Sequence, residues 1–259
     1  MTLQNSLYQE AVTRPYKEID TGKKEQVEVM FDQIAPKYDF LNHFLSFGID
    51  RLWRKRAVKK LKPFLPNKIL DLATGTGDLA IAAIRLKPEK IIGIDISERM
   101  LEKGRLKIKK KGLEKIIELQ TGDSEKIPFP EEEFDALMVA FGVRNFEDLN
   151  RGLNEMYRVL KPGGTFVILE FSSPSYFPVK QIYSFYFFKI LPQIGKMVSK
   201  DNSAYSYLPE SVDVFPDRES FLGLLEKTGF SCLSSESLSF GIAAIYTGIK
   251  ENHNIVKKL

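Results

Sequence analysis

The sequence predicts an α/β protein built on a mostly parallel β-sheet. Short apolar runs of strand length alternate with stretches of helical periodicity along most of the 259 residues. A glycine-rich turn follows the first strong apolar run, and two β-type stretches close the chain. The first strand is 68–72, and Gly75 and Gly77 behind it let the backbone turn tightly with no Cβ in the way. Asp78-Leu79-Ala80-Ile81 opens a helix whose first amides lack partners inside it, a welcome for a carboxylate or phosphate. The next run ends at Asp95. Ser97 then caps a helix with Met100, Leu101, Gly104 and Ile108 on one face and Gly112 as its stop. A third strand, 116–121, leads into Gly122-Asp123-Ser124. The fourth is 134–141, and its helix carries Leu153, Met156, Tyr157 and Leu160 before Lys161-Pro-Gly-Gly164. A fifth follows at 165–171. Phe221, Leu224 and Leu225 form a last helical stripe closed by Gly229, ahead of strands 230–236 and 240–249.

Two regions lie outside that pattern. Residues 1–62 are expected to be a helical extension. Its start through Gly22 is polar and unpatterned, and Val27, Met30, Phe31 and Ile34 then make a stripe. The second region, about 172–216, interrupts a domain that would otherwise run over 63–259. From Phe171 to Phe215, eleven of 45 residues are aromatic, although the whole chain holds only thirty aromatics. Tyr183 and Tyr186 sit in its densest part. Such a concentration suits a helical addition with its own core, a wall for a large apolar substrate, or both.

Composition removes several function classes. Lys and Arg exceed Asp and Glu by 38 to 34, too mild an excess to indicate a nucleic-acid binder. The basic residues cluster, seven of twelve in 51–62, as a solvated helix face or a contact for an anionic surface. One cysteine and two histidines exclude a disulfide framework and a zinc site. Cys232, in an apolar strand-like stretch, is expected in the core. No secretory signal or run of spanning length is evident, so a cytoplasmic protein that touches the inner face of the membrane is expected.

The chemistry is carried by Asp71-Leu-Ala-Thr-Gly-Thr-Gly-Asp78 followed by Gly93-Ile-Asp95. Gly75-x-Gly77-x-x-Ala80 alone fits NAD as well as a methyl donor. Two details favour S-adenosylmethionine. Asp71 stands at the strand's carboxyl end, where a dinucleotide site usually keeps an apolar residue. Three consecutive strands end in Asp71, Asp95 and Asp123, suiting an ammonium, a ribose diol and an adenine amino group better than a pyrophosphate. Five βα units with a closing hairpin also resemble the Rossmann-like sheet of class I S-adenosylmethionine-dependent methyltransferases, seven-stranded with an antiparallel last strand.

Tyr38-Asp-Phe-Leu-Asn-His-Phe-Leu-Ser-Phe-Gly-Ile-Asp-Arg-Leu-Trp53 resembles the N-terminal signature of the menaquinone and ubiquinone biosynthesis C-methyltransferases, the UbiE/MenG family. Arg158-Val-Leu-Lys-Pro-Gly-Gly-Thr-Phe-Val-Ile-Leu-Glu-Phe-Ser172 resembles its second signature, and Phe141-Gly-Val-Arg-Asn145 a third stretch. The resemblance covers about 24–250. It implies methyl transfer from S-adenosylmethionine to a ring carbon of a polyprenylated quinol, with donor contacts from Thr76, Asp95, Asp123 and Ser124. Family members often carry serine at the position of Ala140, and that hydroxyl is missing here.

The reaction must hold a ring carbon in line with the methyl group and stabilise the oxyanion that activates it. Arg144 and Asn145, after the fourth strand, are the catalytic candidates. Arg144 stays protonated, so it stabilises a phenolate or orders a water rather than acting as the base. Its structural alternative is a salt bridge to Glu170 or Asp78. Tyr38, Asp39, His43 and Asp50 are further pocket candidates, and the imidazole of His43 is the ordinary proton carrier near neutral pH. The substrate expected is demethylmenaquinol. A ubiquinone-pathway benzoquinol and a noncatalytic donor-binding scaffold of a quinone-synthesis complex stay open at this point.

Overall fold

The computed structural model describes residues 13–46, 48–190, 193 and 203–252. The first twelve residues of the polar N-terminal stretch, part of the aromatic segment and His253 lie outside the described residues. Helix α1 (Lys23–Ile34), a 3₁₀ turn (Ala35–Lys37), α2 (Tyr38–Leu45) and α3 (Ile49–Leu61) precede the sheet. Then follow β1 (Lys68–Leu72), α4 (Asp78–Ala83), β2 (Lys90–Asp95), α5 (Glu98–Lys110), β3 (Ile117–Thr121), β4 (Phe134–Ala140), α6 (Leu149–Val159) and β5 (Leu160–Phe171). The chain closes with α7 (Val179–Phe185), α8 (Ser203–Val214), α9 (Arg218–Thr228), β6 (Phe230–Leu238) and β7 (Ala243–Lys250).

The seven strands lie in the order β3-β2-β1-β4-β5-β7-β6. β1 to β5 are parallel, and β7 runs antiparallel between β5 and β6. This is the class I methyltransferase sheet. Because side chains alternate across a strand, one strand feeds two cores. Ile69, Ile91, Met138 and Leu169 join Val58 and Leu61 of α3, Ala80 of α4 and Leu101 of α5 on one face. Leu70, Leu137, Val139 and Ile168 meet Leu153 and Met156 of α6 and Phe221 of α9 on the other. Leu61 is fully buried, a burial worth about 1.5–3 kcal/mol.

Local chemistry sets the boundaries. Ser97 Oγ accepts from Met100 N at 3.2 Å and starts α5, while Gly112 at φ +65° turns the chain away beyond its end. Asp217 caps α9 through Ser220 N at 2.8 Å, and Gly229 at φ +108° ends it. The segment Lys161-Pro-Gly-Gly164 is extended rather than a loop. β5 begins at Leu160, paired with Phe134, and a bulge next to that pair accommodates the proline. Cys232 is exposed rather than buried, because the β6–β7 register shifts between Ser231 and Ser234. The bulge takes Cys232 to φ +50° and breaks the alternation that would have turned it inward.

Helices outside the sheet cover the carboxyl ends of the strands. Val27 and Met30 of α1 pack on Ala204 and Tyr207 of α8, and Tyr183 and Phe187 pack on Val212. Asp32 of α1 accepts from Ser97 Oγ at 2.6 Å, and Lys24 pairs with Asp123 at 2.8 Å. No helix among the described residues is long and apolar enough to cross a membrane.

Candidate active site

Asp71 is the last polar surprise of β1, 1% exposed between apolar neighbours. Its Oδ2 accepts from Thr74 Oγ1 at 2.6 Å and from Ala80 N at 3.1 Å. Asp71 thus takes one of the α4 amides that the sequence left open for a ligand. Its Oδ1 is buried without a partner among the described residues. A buried unpaired acceptor costs free energy unless a ligand donates to it. Burial pushes the Asp71 carboxyl up to about 7, against the hydrogen bonds from Thr74 and Ala80. Only glycine fits at 93 on the neighbouring strand. A Cβ there would stand 2.5 Å from Leu119 Cδ2 and 2.8 Å from the Thr74 hydroxyl that serves Asp71.

Asp95 is held from both sides. Gly75 N donates to Oδ2 at 2.8 Å and Ser97 N to Oδ1 at 2.9 Å, and the Ile96 amide is a further donor to the carboxylate. Burial raises its carboxyl to about 6 in spite of those amides. Gly75 at φ +55° and Gly77 at φ +77° make the turn, and the Tyr38 ring approaches to 3.9 Å from where a Gly75 Cβ would be. Asp123 and Ser124 join Asp95, Gly75 and Ala140 around one narrow recess. Asp71, Thr76, Gly75 and Ala140 line a second. Thr76 is also a tie to α2: its hydroxyl donates to Asp39 Oδ1 at 2.5 Å and accepts from Lys107 Nζ at 2.9 Å.

A cavity of about 440 Å³ lies beside these recesses, lined largely by Phe31, Trp53, Phe141, Phe171, Tyr183 and Phe187 with Arg54 and Arg144 among them. Tyr38 lines the cavity and both recesses, so it stands at their junction. Arg144 and Asn145 are neighbours on the 3₁₀ turn Val143–Asn145, and the tight turn points them apart. Arg144 faces the cavity and Asn145 the donor recess, where its Oδ1 is buried without a partner among the described residues. Arg144 Nη1 pairs with the fully buried Glu170 at 2.7 Å and also donates to Phe141 O, while Nε donates to Ser211 Oγ at 3.3 Å. The guanidinium therefore has the salt bridge expected of a prop and also forms part of the cavity wall. Asp78 is not its partner; it pairs with Lys107 instead.

Tyr183 and Tyr186 line the cavity, and the Tyr183 hydroxyl, like that of Tyr207, is buried without a partner among the described residues. Burial pushes both phenols up. His43 does not line the cavity; it stands behind Asp50, which does. Arg54 is a correction to the basic stretch. It is 8% exposed, bonded to Asp50, and its guanidinium carbon is 5.5 Å from the Phe141 ring centre, so it belongs to the cavity and not to a surface. Its position four residues after Asp50 on a helix was the signal for it. Lys23 carried no such signal. Its buried amine donates to Arg144 O at 3.0 Å and Phe146 O at 2.8 Å, clamping the 3₁₀ turn, and burial and the Arg144 charge lower it to about 8.

These residues fit S-adenosylmethionine. The free Asp71 oxygen suits its ammonium, Asp95 its ribose diol, and Asp123 or the Asn145 carbonyl its adenine amino group. The family model of the ubiE/COQ5 methyltransferase family matches residues 19–250. The chain is 52% identical over 244 residues to a Bacteroides fragilis protein named demethylmenaquinone methyltransferase, covering 94% of this chain and 99% of that one. It is 50% identical over 233 residues to a Geotalea daltonii protein named ubiquinone/menaquinone biosynthesis C-methyltransferase UbiE, covering 89% and 98%. Among solved structures it shares its fold with the [4+2]-cyclase SpnF (TM-score 0.66, 18% identity, 89% and 97% covered). A Thermotoga maritima methyltransferase described as a possible histamine N-methyltransferase is also similar (TM-score 0.60, 22% identity, 86% and 99% covered). A match across nearly the whole length, over a cradle of three strand-end acids, has one consequence: the chain belongs to the ubiE/COQ5 methyltransferase family and is an S-adenosylmethionine-dependent methyltransferase.

Proposed function

We propose that the protein methylates a ring carbon of demethylmenaquinol, giving menaquinol, within menaquinone biosynthesis. The observation that carries this reading is the 440 Å³ aromatic cavity meeting the donor recesses at Tyr38. Its volume and apolar wall suit a fused aromatic ring, and the 52% identical relative bears the name of that reaction. Bound S-adenosylmethionine supplies an activated methyl group. Asp71, Gly75, Thr76, Gly77, Asp95, Asp123 and Ser124 hold it, and Tyr38, Tyr183 and Tyr186 flank the ring. Arg144, kept charged beside Glu170, stabilises the ring oxyanion, and Asn145 fixes the donor side of the same turn. In this reading, residues 1–62 are an extension over the substrate pocket of a methyltransferase domain at 63–259, with its aromatic insertion at about 172–216.

The polyprenyl tail leaves by the rim. Ile49 and Ile182 line the cavity and are 39% and 66% exposed, and Leu52, Phe185 and Phe240 are exposed as well. Arg51, Lys55 and Lys59 are exposed on α3 without an ion pair among the described residues, and they meet anionic headgroups at the inner face of the membrane. Incubation of the purified protein with S-adenosylmethionine and chemically reduced demethylmenaquinone tests the function, with mass spectrometry of the extracted quinone. A gain of one methyl group is expected. Methylation of a benzoquinol alone favours the ubiquinone pathway, and donor binding without product favours a scaffold.

A further inference from the structure

The proposed reaction releases one proton per methyl transferred, and the cavity must pass it to water. Among the described residues that line the cavity, Asp50 is the one carboxylate. The arginines there stay charged and the buried phenols of Tyr183 and Tyr207 are pushed up, so neither accepts readily. Asp50 is 3% exposed. Its Oδ1 accepts from the hydroxyl of Ser46, a second cavity residue, at 2.7 Å. Its Oδ2 is shared by Arg54 Nη1 and by His43 Nδ1, the latter at 2.8 Å. The far nitrogen of His43 lies 3.7 Å from Asp78 Oδ2, and the two side chains are 22% and 24% exposed. A continuous polar path therefore leads from the wall of an apolar cavity to solvent.

We propose that Ser46, Asp50 and His43 form the proton outlet of this enzyme. The proposal rests on the quinol reading above. The ring hydroxyl beside the reacting carbon gives its proton to Asp50, directly or through the Ser46 hydroxyl, and Asp50 passes a proton from Oδ2 to the bare Nδ1 of neutral His43, whose ring hydrogen is on Nε2 towards Asp78. The O–H bond breaks and an N–H bond forms. The electron pair left on oxygen delocalises to the ring carbon, which forms its bond to the methyl group as the methyl–sulfur bond breaks with its pair left on sulfur. The methylated carbon then yields its hydrogen to the ring oxygen, restoring the quinol, and the imidazolium loses its proton to water. One proton has left in all.

The surroundings suit a conduit. Burial opposes the Asp50 charge, yet Ser46, Arg54 and His43 together hold its carboxyl below the usual range, so it keeps no proton for long. An imidazolium at 43 lies between Asp50 and Asp78, the second of which Lys107 also holds together with Asp39. Arg144 stands on the cavity wall beside them and stays charged.

Single-turnover methylation of short-tailed demethylmenaquinol, with S-adenosylmethionine saturating at every pH so that its own pH-linked binding does not enter, followed across about pH 5.5–8.5, tests the outlet, because an imidazole already protonated cannot accept. Wild type should show a rate that falls on the acid side. His43→Gln should bind donor and quinol within about twofold of wild type, lose about 100-fold in rate at neutral pH and lose that acid limb. Free imidazole should restore part of the rate in His43→Ala. Histidine ¹⁵N NMR, with His253→Gln to assign the second imidazole, should show the His43 Nδ1 resonance change in Asp50→Asn as its hydrogen-bond partner changes, without any turnover. The outlet is overturned if His43→Gln keeps the wild-type rate and profile, or if it is slow with the acid limb intact and imidazole restores nothing. Wild-type protein that never methylates the quinol refutes the function itself, a different result from an active enzyme indifferent to residue 43.

Discussion

Donor binding should be linked to proton release through Asp71 and Asp95, and the size of the effect follows from their burial. Burial holds the two carboxyls at about 7 and about 6 in the donor-free protein. A bound cation favours their ionised forms, so protonation competes with the donor. Between about pH 5.5 and about 7, the protonated share of Asp71 falls from nearly all to half, which strengthens binding about 16-fold. Asp95 adds about fourfold, for about 60-fold together, or about 2.4 kcal/mol. The interval stops near neutrality because the donor's own amine titrates at about 7.7–8.0. Calorimetry in two buffers of different ionisation enthalpy measures both the affinity and the protons released. Asp71→Asn keeps the shape and can still accept from Ala80 N, and its affinity should change only about fourfold over the same interval. Equal affinity at both ends in wild type, or the full slope in Asp71→Asn, would refute the reasoning. The sign for folding is opposite. Raised carboxyls stabilise the donor-free protein at low pH, and that stabilisation is lost as pH rises from about 4 through about 7.

Three other perturbations separate binding from chemistry. Asp95→Ala removes a charged acceptor worth about 1.5–3 kcal/mol, so donor affinity should fall about 10- to 150-fold by calorimetry. Because Gly75 N and Ser97 N lose their acceptor too, its melting temperature should fall as well, and unchanged affinity would remove the ribose assignment. Arg144→Lys keeps the charge but cannot serve Glu170, Phe141 O and Ser211 at once, so turnover should drop about tenfold or more with donor affinity held. Retained turnover would leave Arg144 as a prop. Replacing Arg51, Lys55 and Lys59 by Gln should weaken binding to anionic vesicles by about 1 kcal/mol per charge and slow only long-tailed quinols. Arg54→Gln should abolish activity on every quinol, and a loss limited to long tails would return Arg54 to the membrane face.

What the sequence determined by itself is the sheet and the donor cradle. Both are local. Strand length, the caps at Ser97 and Asp217, the stops at Gly112 and Gly229 and the acids at strand ends each depend on a few adjacent residues. They survive reading one segment at a time. Where local signals failed, a partner distant in the chain had decided the outcome. A register shift against β7 turned Cys232 outward, and pairing of Leu160 with Phe134 carried β5 through a Pro-Gly-Gly that reads as a stop. The substrate side was legible only as an excess of aromatics, because its wall is assembled from α1, α2, α3, α7, α8 and the ends of β4 and β5. The Asp50–Arg54 spacing gave the pair, but only the packing of α3 on the sheet decided that Arg54 points inward while Arg51 and Lys55 point out, since helical position relative to the sheet, not charge, sets burial. It also decided that His43 stands behind Asp50, because a seven-residue separation across two helices fixes no distance until the helices pack.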